Sequence, residues 1–316
     1  MDKSEATPLI VIVGPTASGK TSFATNLAAK VGGEILSGDS RQVFRGMDIG
    51  TGKDLEDYTI EGKAIPYHLI DIRDAGQKYN ASEFYNDFFE ALEKVKDREA
   101  VPILCGGSGM YIEYVLTEND LTWVPRDEEL RRELKELSVE ELVKRLQGLT
   151  DQDIKDPNNR RRLVRAVEIA DYLAKNPGAD VSGNEKPELK PIIFGLDIDR
   201  EARRERISKR LRDRLEEGMV EEVRGLLDSG VTADELIFYG LEYRWVTLYV
   251  LGEIGFEEMT EKLERNIHQF AKRQMTWFRG MERRGFDIHW INALDSMDSK
   301  ISQAMEILDK NGFRIR

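Results

Sequence analysis

The sequence predicts an α/β fold: a P-loop, doubly wound parallel sheet with a helical insertion domain and a helical C-terminal segment. The apolar, largely β-branched run Leu9–Val13 has the character of a strand buried on both faces. Gly14–Thr21 follows it and fills the pattern GxxxxGK[ST] completely, and a helical pattern over 22–30 comes next. Further strand and helix patterns alternate with short glycine-rich turns, which is typical of a parallel sheet covered by helices on both faces.

Each later element is predicted from its own pattern. Val101–Cys105 and Pro191–Asp197 are apolar runs of strand length, and 33–40 and 67–71 are shorter strand patterns that carry an aspartate near the end. Ser82–Lys96 is predicted to be a helix because Ser82 can cap it and large apolar residues recur at helical spacing. The chain beyond 197 is predicted to be helical throughout. The further predicted helices begin at about Met110 or cover 200–217, 220–228 and 256–283.

The middle of the chain has a different character. From Asp127 to about Glu185 charged helical patterns dominate and no strand pattern occurs, and proline and glycine then punctuate a return linker. This predicts a helical insertion at 123–187 within a core domain formed by 1–122 and 188–316.

Composition limits the cellular setting and the partners. The chain has 316 residues and a single cysteine, Cys105, which lies in an apolar run, so a buried thiol in a reducing cytoplasm is expected. No apolar run reaches the length of a membrane span, and the first residues do not form a signal peptide, so no membrane partner is expected. The net charge of −12 argues against indiscriminate nucleic-acid binding, yet basic residues are clustered locally at 160–165, 200–214 and 265–284.

The glycine-rich loop predicts a phosphate ligand. Its backbone N–H groups and the following helix N-terminus form an anion cradle, Lys20 adds a positive charge, and the Thr21 hydroxyl is placed to ligate Mg²⁺. Asp39 and Ser108 also follow strand ends, where ligands bind in parallel sheets, so these residues are expected to converge on one crevice. The residues predicted to bind a diphosphate are Gly14, Thr16, Ala17, Ser18, Gly19, Lys20 and Thr21.

Several segments, taken together and in order, resemble the tRNA dimethylallyltransferase family. They are Gly14–Thr21, Asp39–Thr51, His68–Asp71, Gly106–Tyr111, Asp156–Arg160 and Ala271–Arg279. The resemblance spans nearly the whole chain, and the Asp39–Thr51 run is its most specific part. It implies transfer of a dimethylallyl group from dimethylallyl diphosphate to N6 of the adenosine adjacent to the anticodon (position 37) in tRNA, with release of diphosphate.

The resemblance also implies the catalytic residues. Asp39 is the expected base, because the exocyclic amine of adenine is a poor nucleophile and must lose its proton as the C–N bond forms. Arg210 occupies the position of an arginine that binds the diphosphate, whose negative charge grows as it leaves. Ser108 stands where the family usually has threonine and keeps the hydroxyl.

The resemblance also implies that a second set of residues binds the substrate, the anticodon stem-loop of tRNA. The target adenine must be extruded from its stack to reach Asp39, and the segment that holds Ser40, Gln42 and Phe44 is expected to contact it and its neighbours. Basic side chains are expected to bind RNA phosphates. These are Arg160, Arg161, Arg162, Arg165, Lys272 and Arg273.

Three segments depart from the family pattern. Gly50-Thr51-Gly52-Lys53-Asp54 replaces Gly-Thr-Ala-Lys-Pro, and Gly240-Leu241-Glu242-Tyr243 replaces a Gly-Tyr pair followed by a basic and an acidic or amide residue. Ile267-His268 stands in place of Thr-Arg. The last two departures lie in the half expected to bind RNA, so they bear on the choice of substrate more than on the chemistry.

Other functions share parts of these patterns. A small-molecule or nucleotide kinase would have the same loop and sheet but would consume ATP. An adenylate isopentenyltransferase would prenylate a free nucleotide, which the basic segments disfavour, and an RNA-binding protein without catalysis would have no need of Lys20, Thr21 and Asp39 together. No sustained heptad pattern predicts an obligate coiled coil, and a monomer is expected.

Overall fold

A parallel six-stranded sheet forms the centre of the fold. The computed structural model of the protein describes residues 6–117, 124–150, 157–177 and 186–313. All neighbouring strands of the sheet run parallel, in the order β5-β2-β6-β1-β7-β8. The strands of this sheet are β1 (Thr7–Val13), β2 (Gly33–Ser37), β5 (Tyr67–His68), β6 (Val101–Gly106), β7 (Leu189–Asp197) and β8 (Ile288–Asn292). A separate antiparallel pair consists of β3 (Thr59–Ile60) and β4 (Lys63–Ala64).

The sheet is buried on both faces, as the apolar strand patterns predict. Along β1, Leu9, Val11 and Val13 belong to one apolar cluster, whereas Ile10 and Ile12 belong to the other. This alternation follows from the two-residue period of a strand. The predicted α/β class with a doubly wound parallel sheet is therefore confirmed.

Helices cover the two faces. The face that carries Ile10 and Ile12 packs against α1 (Lys20–Val31) and α12 (Met297–Lys310). The face that carries Leu9, Val11 and Val13 packs against α2 (Ala81–Asp97), α3 (Gly109–Leu116), α7 (Arg200–Glu216), α8 (Met219–Asp228), α9 (Ala233–Tyr239), α10 (Leu241–Val250) and α11 (Phe256–Arg283). Helix α2 begins at a capping box in which Asn80, and not Ser82, is the N-cap.

Two sequence predictions are corrected. The segment after 197 is not helical throughout, because Ile288–Asn292 forms β8 at the edge of the sheet, paired with β7. The predicted strand at 67–71 is shorter, since Leu69 and Asp71 have φ angles of 65° and 56°, in the left-handed region that a strand cannot use.

The chain divides into two compact units, one formed by Met1–Thr117 with Pro187–Arg316 and the other by Glu118–Lys186. The described part of the second unit, called the insertion unit below, contains α4 (Glu128–Lys135), α5 (Val139–Gln147) and α6 (Arg160–Lys175). Its apolar core is made by one face of each helix, including Leu134, Leu142 and Val167. The predicted insertion at 123–187 overlaps this unit, and residues 122 and 123 at its predicted start lie outside the described residues.

Within the described ranges, no helix combines the length and the apolar character needed to cross a membrane. Cys105 is buried in β6, as expected, and its burial raises the pKa of the thiol to about 12.

Candidate active site

The phosphate loop turns from β1 into α1 through two left-handed residues. Ala17 has φ 61° and Gly19, the N-cap of α1, has φ 84°. The Lys20 ammonium group donates to the carbonyl oxygen of Pro15 at 2.7 Å, which folds the side chain back over the loop. Ser18 is fully buried, and its hydroxyl has no hydrogen-bond partner within the described part of the chain. Within the described residues, the loop therefore keeps one buried hydroxyl without a hydrogen bond.

Lys20 lies among several charged or ionisable groups. Burial, with a smaller contribution from the Arg210 guanidinium, lowers the pKa of Lys20 to about 8, while Cys105 and Asp39 oppose that shift. Asp39 and Arg210 are therefore both close enough to interact electrostatically with the lysine. An anionic ligand at this position would favour the charged ammonium form.

A cleft with a volume of about 260 Å³ opens beside the phosphate loop. Arg210 on α7 reaches this cleft, and its Nη2 atom lies 2.6 Å from Oδ2 of Asp54. The structure therefore brings four of the seven predicted diphosphate residues (Ala17, Gly19, Lys20 and Thr21) and Arg210 to one cavity, although Arg210 lies far from them in the sequence. The cleft is lined by Ala17, Gly19, Lys20, Thr21, Asp54, Asp57, Arg206 and Arg210.

Asp39 and Ser108 lie at the ends of the neighbouring strands β2 and β6. The Asp39 Oδ1 atom accepts a hydrogen bond from the Arg41 backbone N–H at 2.9 Å, and in the described ranges Oδ2 accepts none. The Ser108 hydroxyl oxygen accepts from the Ser40 backbone N–H at 3.2 Å. Ser108 therefore fixes the segment that carries Asp39, and one carboxylate oxygen of Asp39 stays available for a proton.

Gln42 and Phe44 differ in their placement. Gln42 accepts from the Ser37 hydroxyl at 2.8 Å and donates to the Gly52 carbonyl oxygen at 2.9 Å. It therefore holds together the loop of residues 38–54, which follows β2. Phe44 is fully buried, and its ring centroid lies 4.7 Å from that of Tyr239. The expectation that Phe44 contacts the target base is corrected accordingly, because its ring belongs to the core beneath the loop.

Glu222 on α8 holds the loop of residues 38–54 and was not predicted from the sequence. Its carboxylate accepts hydrogen bonds from three successive backbone N–H groups, those of Asp48 at 2.8 Å, Ile49 at 2.6 Å and Gly50 at 3.1 Å. The hydroxyl of Tyr243 donates to it at 2.7 Å. A glutamate in a charged helix gives no sign of such a role, because its partners are backbone groups far away in the sequence.

Lys53 anchors the loop on its other side. The side chain is 1% exposed, and its ammonium group contacts the carboxylates of Asp48 and Asp71 and donates to the Phe44 carbonyl oxygen at 2.8 Å. Lys53 is one of the residues that match the family pattern, and its place in the core gives that match a structural reason.

Gln274 on α11 connects two of the loops around the cleft. Its Oε1 atom accepts from the Thr16 backbone N–H at 2.8 Å, and its Nε2 atom donates to the Gly107 carbonyl oxygen at 2.9 Å. The neighbouring Lys272 and Arg273, which are predicted to bind RNA, are exposed on the same helix. The segment Ala271–Arg279 therefore has one buried residue that supports the phosphate loop and a basic exposed face.

The arginines of the insertion unit differ in how they are used. Arg161 and Arg162 are exposed. Arg160 donates to backbone carbonyl oxygens at the end of α4, including Leu134 at 3.0 Å. Arg165 donates to Glu168 and to the Val124 carbonyl oxygen, both at 2.7 Å. Asp156, which begins the motif that contains Arg160, lies outside the described residues.

A family model described as IPP transferase matches residues 42–281. The chain belongs to the IPP transferase family. It is 55% identical over 295 residues to tRNA dimethylallyltransferase 2 of Bacteroides fragilis. The aligned region covers 93% of this chain and 95% of that relative.

Two solved structures are similar to this chain over most of their length. The full-length tRNA isopentenylpyrophosphate transferase of Bacillus halodurans superposes with a TM-score of 0.70 at 31% identity, covering 98% of this IPP transferase and 99% of that chain. A eukaryotic dimethylallyltransferase acting on tRNA superposes with a TM-score of 0.78 at 23% identity, covering 98% of this chain and 81% of that one. At that identity, the second similarity concerns the fold.

Proposed function

We infer that this protein transfers the dimethylallyl group of dimethylallyl diphosphate to N6 of the adenosine adjacent to the anticodon (position 37) in tRNA. The observation that carries the proposal is the cleft itself, in which a phosphate loop faces Arg210 while Asp39 lies close enough to interact with Lys20. Membership of the IPP transferase family and the name of the Bacteroides fragilis relative support the same reaction.

Asp39 is proposed to take the proton from the adenine amino group. The backbone N–H of Arg41 holds one carboxylate oxygen, which fixes the orientation of the group and leaves the other oxygen to accept the proton. Attack of N6 on the allylic carbon forms the C–N bond, the C–O bond to diphosphate breaks, and the proton passes to Asp39. Ser108 keeps the segment after β2 in position through the Ser40 backbone.

The leaving diphosphate is proposed to be stabilised by the phosphate-loop amides, Lys20 and Arg210. Lys20 and Arg210 line the cleft that would hold the diphosphate, where their charges would oppose the negative charge that develops on the leaving group. Thr21 lines the cleft, and its hydroxyl would be a ligand for a Mg²⁺ ion. The described residues contain no cluster of three or more His, Cys, Asp or Glu side chains suited to a metal, so protein side chains alone would not complete the coordination of the ion. When bound, Mg²⁺ would neutralise charge on the leaving group.

The RNA is proposed to be held by exposed basic side chains. Arg161 and Arg162 of the insertion unit and Lys272 and Arg273 of α11 are the candidates that remain exposed. Contacts of this kind give affinity and salt dependence and do not read sequence. The adenine itself would have to leave its stack in the anticodon loop to reach Asp39.

The proposal is tested with unmodified tRNA, dimethylallyl diphosphate and Mg²⁺, followed by digestion and mass spectrometry for N6-prenyladenosine. We expect product with tRNA, none with AMP and no requirement for ATP. Asp39→Asn should lower kcat by about 10²–10⁴-fold, because the proton acceptor is lost. The exposed Asp97, at the end of α2, provides the control substitution Asp97→Asn. Product from AMP alone would contradict the RNA substrate, and an active Asp39→Asn variant would contradict the role of the base.

A further inference from the structure

Arg214 lies beside the phosphate loop in addition to Arg206 and Arg210, which line the cleft. Arg214 follows Arg210 by one turn of α7, and the two share a small space with Thr16, Ala17 and Glu242. The Arg214 side chain is 10% exposed. Its Nη2 atom has no hydrogen-bond partner among the residues that the structure describes. A buried guanidinium nitrogen without a partner is unusual in a folded protein and points to an anion that binds there.

Asp54 lies between the two arginines. Its Oδ2 atom is 2.6 Å from Arg210 Nη2, and its Oδ1 atom is 3.7 Å from Arg214 Nη2, which is an ion pair but too long for a hydrogen bond. Asp54 also lines the cleft that contains Lys20 and Thr21. One carboxylate therefore faces both guanidinium groups in the way that two oxygens of a phosphate would.

Both departures in the segment 50–54 fit this arrangement. A Cβ atom at Gly52 would overlap Nη2 of Arg214 and Nη2 of Arg210, so with alanine here both guanidinium groups would have to move. Asp54 has φ 44°, a conformation that aspartate tolerates and that proline, with φ fixed near −65°, cannot adopt. The first departure thus makes room for the arginines, and the second supplies their counter-charge.

We propose that Arg214 is a second arginine for the leaving diphosphate, and that Asp54 holds Arg210 and Arg214 until the diphosphate takes its place. This inference rests on the proposed function, since it concerns the same leaving group. A diphosphate oxygen that lies closer to Arg214 Nη2 than Asp54 Oδ1 does would give this buried nitrogen the hydrogen bond that it lacks. Asp54 therefore competes with diphosphate for the two arginines and limits how tightly the product is retained.

The test measures the binding of inorganic diphosphate by isothermal titration calorimetry, with and without Mg²⁺. Arg214→Met, which keeps the length of the side chain, should weaken binding about tenfold, as expected for one charge-assisted hydrogen bond. Asp54→Asn should tighten binding about fivefold because the competing charge is removed. In the double variant, the methionine should again weaken binding about tenfold relative to Asp54→Asn alone.

Matched controls are available on the same elements. Lys209→Met removes an exposed charge from α7, and Glu56→Gln removes an exposed charge next to Asp54, so both should bind diphosphate like the unmodified protein. Circular dichroism melting of each variant establishes that it is folded.

The possible outcomes separate this inference from the proposed function. If the unmodified protein binds diphosphate and Arg214→Met binds it equally well, the role of Arg214 is wrong while the proposed function stands. Weakening by Arg214→Met that disappears in the Asp54→Asn background would mean that Arg214 only positions Asp54, which also overturns the inference. An unchanged affinity of Asp54→Asn would overturn the competition, and failure of the unmodified protein to bind diphosphate would overturn both proposals.

Discussion

Replacing Glu222 by glutamine is expected to loosen the loop between Phe44 and Lys53 without touching the cleft. The carboxylate accepts from three backbone N–H groups and one tyrosine hydroxyl. A hydrogen bond to a charged group contributes about 1.5–3 kcal/mol, and such bonds to one carboxylate are not additive. The glutamine amide oxygen can keep one side of this arrangement, but its NH₂ group must face donors on the other. A loss of about 2 kcal/mol in the free energy of unfolding is therefore expected.

Two assays measure this effect. Urea denaturation gives the free energy of unfolding, and prenylation at varied tRNA concentration gives KM and kcat separately. Because the loop continues from the segment that carries Asp39 and Gln42, a mobile loop should raise KM for tRNA several-fold. Glu221→Gln is the matched control, since this neighbouring carboxylate is 67% exposed and lies 3.5 Å from Arg224. If Glu222→Gln kept both the stability and the KM of the unmodified protein, the loop would not depend on this carboxylate.

Two further predictions concern buried side chains that hold other parts of the chain. Burial would raise the pKa of Glu168, but hydrogen bonds from Arg131, Arg165 and a backbone N–H outweigh it and hold the pKa at about 2. Its contribution is therefore complete above about pH 4.5 and is lost as the pH falls towards 2. Glu168→Gln should lower the free energy of unfolding by about 2 kcal/mol at pH 7. The loss should be smaller in denaturation series below pH 4.5. The exposed Glu133 provides the control substitution Glu133→Gln. A difference independent of pH would contradict this. Gln274→Leu leaves two backbone groups unpaired, so it should lower the free energy of unfolding in urea by about 2 kcal/mol. The same change should weaken diphosphate binding measured by calorimetry. Unchanged values in both assays would refute the bridging role of Gln274.

The sheet was predictable from the sequence where burial alone decides the structure. Leu9–Val13 and Val101–Cys105 are central strands, and their continuous apolar runs reflect contact with helices on both faces. Strand β8 was missed because it lies at the edge of the sheet, is paired only with β7, and carries the half-buried His289 and Trp290. Its polar and aromatic pattern does not have the continuous apolar character of the central strands.

The site divides in a similar way. Asp39 and Ser108 could be placed near the loop because each follows a strand end, and parallel strands end at the same edge. Glu222 and Gln274 could not be placed, because each is selected by backbone groups more than 150 residues away in the sequence. Phe44 was misplaced for a related reason: a position in a functional motif does not reveal whether its side chain faces the ligand or the core.

Gly52, Asp54 and the two arginines depend on one another in this structure. With alanine at 52, the added methyl group would occupy the space of both guanidinium groups. With glycine at 52 but proline at 54, the backbone could not reach φ 44°, and both arginines would lose the carboxylate of Asp54. Either single change therefore disturbs the contacts of both arginines. Under the proposal above, Gly52 and Asp54 act as one unit, because one leaves space for the two guanidinium groups and the other supplies a carboxylate to both.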